Sequence, residues 1–378
     1  MKQATLKLTA LVMLIGGAST IANAQTSASN NINVVTTAVP FLRISPDARS
    51  TGMGETGIAT TPDAYSNFWN LGKTPFAKKR ASVGVTYTPW LNDLDLKDVY
   101  IASLAGYYKL DNSQALSLGL RYFSLGEIQF TDASGSNIGN KSPREYTIEA
   151  GYSRKLGAKT GLGLGLRYIS SDLATGSFNG VNYKKGSSVA ADLHFYHTAA
   201  KENGSGFVYG ATLSNLGAKI SYTDDDNMKD FIPANIGLGA GYTKVFDADS
   251  KVTITTELNK LLVPTPDTGA ANLAKYRQQG VVSSWFKSFS DGHNGEELRE
   301  ITISTGAEFW YKEQFAFRAG YFYESPRKGN RRYATVGAGL KYNMIGLNLA
   351  YIFPSGAGIS RNPLSNTLRF SLMFDIDK

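Results

Sequence analysis

The chain has 378 residues, with 39 Lys and Arg against 31 Asp and Glu, three His and no Cys. The lack of cysteine excludes disulfides, thiolate chemistry and Cys-ligated zinc. The basic excess is mild and mixed with acids and aromatics, so there is no stripe of the kind that binds nucleic acid.

Residues 1–24 read as a secretory signal peptide. Lys2 and Lys7 make the positive n-region, Leu8 to Ala18 a short apolar core, and Ala22-Asn23-Ala24 an A-x-A cleavage site. The apolar run is too short to span a bilayer as a helix. Gln25 follows the site, so no lipoprotein cysteine is offered. Removing Lys2 and Lys7 leaves 37 basic residues (39 − 2) against 31 acidic ones, a net charge of +6. Gln25 to Thr37 is polar and is expected to be a loose lead-in.

Val39 to Gly57, VPFLRISPDARSTGMGETG, fits neither a strand nor a good helix. Pro40, Pro46, Gly52, Gly54 and Gly57 interrupt regular structure, and Met53 sits between two of the glycines. Arg43, Asp47 and Arg49 form a charge cluster. The segment is expected to be a plug, with 25–80 as lead-in and plug and 81–378 as a barrel around it. Charges buried there need partners. Inward-facing Arg121, Glu149, Arg167 and Lys341 are the expected ones.

From Ala81 the sequence alternates. Fourteen strands are expected, at 81–88, 99–109, 114–124, 144–155, 160–170, 187–198, 206–216, 235–246, 250–260, 301–311, 314–323, 333–342, 345–353 and 367–374. Most approach the ~9–11 residues that a tilted strand needs to cross a bilayer. In 160–170, Leu162, Leu164, Leu166 and Tyr168 share one face, and Gly161, Gly163, Gly165 and Arg167 the other. Strands 114–124, 333–342 and 345–353 follow the same scheme. The aliphatic face closes on a tyrosine, as in the aromatic girdle of a membrane barrel. The glycine face points inward and leaves room for the plug. Gly-x-Gly-x-Gly at 161–165 is thus a strand face, not a dinucleotide fingerprint. Connections alternate long and short, which matches outer loops and periplasmic turns. An even strand count is expected to leave both ends of the chain on the periplasmic side, with the plug entering from there. The expected fold is therefore an all-β membrane protein, a 14-stranded antiparallel outer-membrane β-barrel with an N-terminal plug.

The run Ala38 to Leu42, Ile44 to Arg49, Gly52-Met53-Gly54, Gly57, Ala59 and Pro62-Asp63-Ala64 resembles the N-terminal signature of the PorV family. Those are type IX secretion outer-membrane proteins of Bacteroidetes, within the wider FadL-like family of plugged fourteen-stranded barrels. Ser66 to Gly72 is similar to the family's Asn-Pro-Ala segment leading out of the plug, with Asn70 kept and Leu71 and Gly72 in place of Pro and Ala. The last strand, with Leu368, Phe370, Leu372 and Phe374 on one face, resembles the C-terminal assembly signal of outer-membrane proteins. The resemblance implies a non-enzymatic role with no cofactor. Such a protein binds the C-terminal signal domain of secreted cargo after release from a large translocon barrel. It then brings the cargo to a surface attachment complex containing a sortase. The alternative that the wider family implies is an importer of hydrophobic small molecules.

Two outer regions are candidates for cargo contact. The connection 261–300 carries Trp285, Phe286, Lys287 and Phe289 in SSWFKSFS. This run reads either as a docking knob or as a lid packed on the barrel mouth. Tyr321, Phe322 and Tyr323, with Arg327, Lys328, Arg331 and Arg332 beyond, form a second rim. Its basic residues also suit a solvated loop or lipopolysaccharide phosphates. Asp224-Asp225-Asp226 with Asp230 lacks EF-hand spacing and reads as a solvated acidic loop. His194 and His197 fall on opposite faces of one strand, and His293 stands alone, so no metal site is expected. Membrane lipid is an expected partner and nucleic acid is not.

Overall fold

The computed structural model describes residues 34–90, 96–131, 134–178, 180–225, 227–266, 270–291, 296–353 and 366–377. The expected signal peptide, Asp226 and His293 lie outside them.

The wall is one closed antiparallel sheet. Its strands are β1 Ala81–Pro89, β2 Val99–Lys109, β3 Gln114–Leu125, β4 Arg144–Lys155, β5 Thr160–Asp172, β6 Gly186–Thr198 and β7 Gly206–Gly217. They continue as β8 Asn235–Val245, β9 Ser250–Leu261, β10 Thr302–Tyr311, β11 Phe315–Tyr323, β12 Arg332–Tyr342, β13 Ile345–Ile352 and β14 Thr367–Ile376. Every expected strand is present, with each boundary within two residues of its reading. β1 pairs with β14 in the register Ala81↔Ile376 to Tyr87↔Phe370, so no sheet edge is left open.

Residue parity decides which side of the wall each residue meets. On β5, Leu162, Leu164, Leu166 and Tyr168 are exposed on the outside, whereas the glycines between them and Arg167 are buried inside. Leu118, Val189, Ile254 and Phe317 extend the outer band, each more than half exposed. A continuous apolar belt of this kind would be an aggregation hazard in water and is at home in lipid. Aromatic rings mark both borders. Tyr87, Tyr100 and Tyr122 line up at the long-connection end, with centroids 5.5 and 6.1 Å apart. Phe207 and Tyr242 meet at 4.6 Å near the short turns. No helix among the described residues is long and apolar enough to cross a membrane, and crossing falls to the strands.

Four of the long connections are not bare loops. They fold into two-stranded ladders, Ile128–Thr131 with Asn137–Lys141, Gly176–Phe178 with Val181–Tyr183, and Ile220–Ser221 with Lys229–Asp230. The β9–β10 connection forms the helices Ala270–Gln278, Val281–Lys287 and Glu296–Arg299. Backbone polar groups in segments this long need internal partners, and local pairing supplies them.

Ahead of the wall runs an inner segment with four helical pieces: Pro40–Arg43, Ala48–Gly52, Ser66–Trp69 and Leu71–Phe76. Prolines and glycines keep each piece to a turn or so, but Asp47 caps Ala48–Gly52 by accepting the Ser50 amide at 2.8 Å. The segment starts beside the long connections. Val35 is buried with Phe231, Leu261, Val263 and Tyr276, and the Ala38 amide donates to the Phe231 carbonyl at 2.8 Å. It ends at the short turns, where Lys109 Nζ donates to the Ala77 carbonyl at 3.0 Å. The expected entry from the short-turn side is corrected for these residues. Strand parity fixes the two ends of the wall but not the start of a segment that precedes it.

Leu166 sits at mid-strand on the outer face. Leu166→Arg is expected to lower stability by about 2–4 kcal/mol, and Leu166→Phe to be nearly neutral. Urea titration of the protein refolded into vesicles measures both.

Candidate functional site

The helices are labelled in chain order: α1 Ala48–Gly52, α2 Ser66–Trp69, α3 Ala270–Gln278, α4 Val281–Lys287 and α5 Glu296–Arg299. Two regions bear on function, the fastening of the inner segment to the wall and the cap built by α3 to α5.

Arg49 is the central fastening. Its Nε and Nη2 donate to the two carboxylate oxygens of Glu308 on β10 at 2.9 and 2.8 Å. Nη1 reaches Asp63 at 2.8 Å and the Thr61 carbonyl at 3.0 Å, and Nη2 reaches Thr61 Oγ1 at 2.7 Å. Five bonds use the guanidinium's five N–H groups. Glu308 also accepts from Arg318 Nε at 2.7 Å, so one wall carboxylate serves two arginines. On β9, Glu257 Oε1 accepts the amides of Gly57, Ile58 and Ala59 at 2.8, 2.6 and 3.3 Å. Asp47 accepts Trp69 Nε1 at 2.7 Å, and Lys73 Nζ donates to the Gly57 carbonyl at 2.7 Å. Arg43 pairs with Glu324 at 3.2 Å. Arg121 donates to the Leu42 and Ile44 carbonyls, and Arg369 to the Ser45 carbonyl.

The expected partner set is corrected in part. Arg121 does hold the segment, but through its carbonyls and not its charges. Arg167 is taken up by Glu149 and Asp192, each at 2.9 Å. Glu149 reaches the segment only through Asn67, at 3.2 Å. Lys341 pairs with Asp375. The carboxylates that meet Arg43 and Arg49 are Glu324 and Glu308. Glu257 and Glu308 had a signal in the sequence: each is an acid at an inward position of a strand whose outer face is apolar.

The glycines are where backbone meets backbone. A Cβ on Gly320 would lie 2.0 Å from the Gly54 amide nitrogen, and one on Gly161 would lie 2.1 Å from the Gly72 carbonyl oxygen. Met53 is fully buried, and Gly52 faces Gly337. Asn70 bridges the segment to β6, donating from Nδ2 to the carbonyls of Ile58 (3.0 Å) and Phe195 (2.9 Å). Between segment and wall remains a cavity of about 140 Å³. Its lining mixes polar residues, among them Arg43, Glu55, Arg121, Asn215 and Arg331, with apolar ones, among them Pro46, Leu42, Ile58, Phe68 and Phe322.

At the cap, α4 is turned inside out. Ser284 is its fully buried residue, as is Ser288 just after it, and their hydroxyls donate to the Val281 and Trp285 carbonyls at 2.6 and 2.8 Å. Phe286 is 73% exposed and Phe289 51%, Lys287 is exposed, and Trp285 is half-buried. Leu298 on α5 is 75% exposed. A helix folded only onto its own protein places its apolar stripe inward.

The second rim is divided. Tyr321 lies on the lipid-facing row of β11, Tyr323 is half-buried, and Phe322 between them is buried and stacked on Tyr333 at 5.1 Å. Arg327 is exposed. Arg331 grips Glu324 through Nε and Nη2 at 2.8 and 2.9 Å. Lys328 donates to Glu300 at 2.9 Å and to Thr265 at 3.1 Å.

Asp291, Glu297 and Glu300 converge, but Lys260 and Lys328 enter the same cluster. It is thereby a clasp between cap and wall. Sequence reading missed it because its members lie far apart in the chain. Asp224 pairs with Lys184 at 2.7 Å, and Asp230 with Arg277 at 3.1 Å. His194 is buried inside the wall and His197 faces outward, where its Nδ1 meets Thr160 Oγ1 at 2.9 Å.

Two outcomes are expected. Arg49→Met takes the guanidinium from Asp63 and leaves Glu308 to Arg318 alone, and should cost about 3–5 kcal/mol, with part recovered by adding Asp63→Asn; thermal melting in detergent with band-shift detection reads both. Burial, then the nearby Glu300 and Glu297, pushes the Asp291 carboxyl up to about 6. Its folded-state value exceeds the unfolded one, so its penalty on the closed cap is absent below about pH 4, grows as pH rises, and is complete above about pH 6. Asp291→Asn should therefore slow proteolysis of 261–300 most at pH 7.5, less at pH 5, and make little difference below about pH 4.

Known structures share this architecture at low identity. The Ralstonia pickettii toluene transporter TbuX matches with a TM-score of 0.55 at 11% identity, covering 87% of this chain and 98% of that one. The monoaromatic hydrocarbon channel CymD matches at 0.51 and 11%, covering 93% and 100%. The ΔS2S3 mutant of the monoaromatic hydrocarbon channel TodX matches at 0.51 and 13%, covering 86% and 96%. These likenesses establish the barrel fold. A search of curated proteins gives no match. The family model for the type IX secretion system protein PorV matches residues 26–268. The chain therefore belongs to the PorV family of type IX secretion system outer-membrane proteins.

Proposed function

We propose that the chain is a docking station for cargo of the type IX secretion system. It binds the C-terminal signal domain of secreted proteins as they leave the large translocon barrel. It then carries them to the sortase-containing attachment complex. In this reading 1–24 is a signal peptide, 25–80 a lead-in and plug, and 81–378 the barrel. The long connections face outward, and the strand end at Ile376 faces the periplasm. No step of the reading needs covalent chemistry or a cofactor by this chain.

The observation that carries it is the reversed helix α4. Phe286 projects from the cap beside Lys287, Phe289 is half exposed with Lys260 at 5.5 Å from its ring, and Ser284 and Ser288 are buried. Exposed aromatics flanked by a cation make effective anchors in a partner's pocket. Arg327 and the outward tyrosines Tyr321 and Tyr323 extend the same end of the molecule. The fastened inner segment favours docking over conduction. Passage of a solute would require breaking the Arg49–Glu308 and Glu257 contacts, and the cavity of about 140 Å³ between segment and wall carries Arg43, Arg121 and Arg331 in its lining. A hydrocarbon importer needs an apolar path there.

The test is affinity purification of the tagged protein from detergent-solubilised outer membranes, with mass spectrometry of the proteins bound to it. Secreted proteins sharing one C-terminal domain should co-purify, together with a translocon barrel or a sortase. Phe286→Ser/Phe289→Ser should reduce their recovery at least about tenfold while the band shift on heating stays unchanged. A clean barrel carrying only fatty acid or hydrocarbon would sink the docking reading and favour an importer.

A further inference from the structure

The outer face of the wall has a recess in its apolar band. It is an open hollow of about 540 Å³ in the short-turn half of β1 to β4. Its outward side chains are Val83, Leu104, Tyr108, Leu116, Leu118 and Ile148, all exposed. Gly106 leaves the gap between them, opposite Val83 on β1 and Leu118 on β3. A Cβ at Gly106 would lie 2.8 Å from the Ser82 carbonyl oxygen and 3.2 Å from Val83 Cγ2. The dent is therefore set by the backbone and not by a choice of rotamer. Glu149 borders the recess from the inner side of the wall, where Arg167 holds it.

One outward step toward the short turns, about 7 Å along the strands, the surface turns polar and basic. Tyr108 follows Gly106 on the outward row of β2, and Arg80 Nη2 donates to its hydroxyl at 2.8 Å with the guanidinium 5.3 Å from the ring centre. On β4 the outward row ends in Tyr152 and Arg154. Tyr152 donates to Gln114 at 2.5 Å, and Gln114 lies opposite Arg154. Both arginines are exposed, and among the described residues neither pairs with a carboxylate. The charges around them do not cancel them. Residues 78–80, 109–114 and 154–159 hold seven basic side chains and one acid, Asp111. Lys78 and Lys79 are answered from outside these stretches, by Glu313 at 3.9 Å and Asp377 at 2.6 Å. Lys109 turns to the Ala77 carbonyl and Lys155 to the Phe76 ring. Asp111 is engaged by its own turn, accepting the Ser113 and Gln114 amides at 2.6 and 2.8 Å. Arg80, Arg154 and Lys159 remain against that single carboxylate, so the rim below the recess is net positive.

We infer that recess and rim together bind one anionic glycerophospholipid, an acyl chain lying in the dent at Gly106 and the phosphate held between Arg80 and Arg154. Each half of the site fits one half of that molecule. The dent lies within the belt that meets hydrocarbon, and the tyrosines beside it mark the border where headgroups begin. Guanidinium groups at that height offer paired N–H donors to phosphate oxygens. With the short turns facing the periplasm, as in the docking reading, the leaflet in contact is the inner one. The site shares no residue with the cap or with α4.

The test titrates the full-length protein in detergent with phosphatidylglycerol, monitored by native mass spectrometry. One lipid should bind tightly, and diacylglycerol with the same chains should bind at least about tenfold more weakly. R80Q/R154Q should weaken phosphatidylglycerol binding as much. Leu104→Trp, which fills the recess with an apolar ring, should weaken it several-fold with both arginines in place. Lys244→Gln, on the same rim at the far side of the wall, should change nothing, and the band shift on heating checks that each variant is folded. Equal binding of diacylglycerol, or parental binding by R80Q/R154Q and by Leu104→Trp, would overturn the assignment. Displacement by millimolar glycerol 3-phosphate would reassign the rim to a free anion. Equal competition by lipid A would remove the assignment to the inner leaflet. A photo-crosslinking amino acid at position 104 in native outer membranes should label phospholipid, and a protein adduct there would show that the recess is a protein contact instead. Cargo recovery is measured separately, so failure here leaves the docking reading untouched.

Discussion

The interior of the closed wall excludes most water, and everything else in the molecule answers to that. A segment of irregular chain placed there carries amides, carbonyls and charges that each cost several kcal/mol if left alone. The wall replaces the missing water residue by residue. Glu257 takes three consecutive amides, Arg121 and Arg369 take carbonyls, and Glu308 takes the guanidinium of Arg49. Where no polar group is needed, glycine on the wall lets the two backbones touch. The inward face is thus a mould of one particular segment, not a general-purpose lining.

That mould separates this chain from a simple conduit despite the shared barrel. One cavity inside is about 140 Å³, bordered by Arg43, Glu55, Arg121 and Arg331 as well as Leu42, Ile58 and Phe322, and a second hollow of about 480 Å³ at the short-turn end is lined by Thr61, Glu308 and Trp310. The apolar surface that an importer would keep for its ligand is found elsewhere, on the lipid face and on the cap. The cap is braced from below by the cluster of Lys260, Lys328, Glu300 and Glu297, which fixes α5 to the wall.

The strands were legible because a period of two in a half-lipid environment leaves an unmistakable trace. Leu162-Gly163-Leu164-Gly165-Leu166 states its two faces outright. Glycine content showed that something fills the lumen, and the proline and glycine punctuation of 39–57 showed which segment does. Its partners were not legible. Arg49 and Glu308 are joined across 259 residues, and no local pattern links them. The direction of the segment was misread because parity governs strands only. The helices of 261–300 were hidden by reversed polarity: Ser284 and Ser288 inside, Phe286 and Phe289 outside, a pattern that looks like a loop until a partner is supposed.

The path of the inner segment also orders events in time. Its start lies beside Phe231 and Tyr276 at one mouth, and its end beside Lys109 at the other. It carries Trp69, Arg49 and several helical turns, too bulky to be drawn through a finished wall. The seam between β1 and β14 must therefore be the last to zip, with the segment already laid along the open sheet. Each buried contact made on that sheet, Arg49 to β10 and Glu257 to residues 57–59, is then a template that curls the wall toward closure.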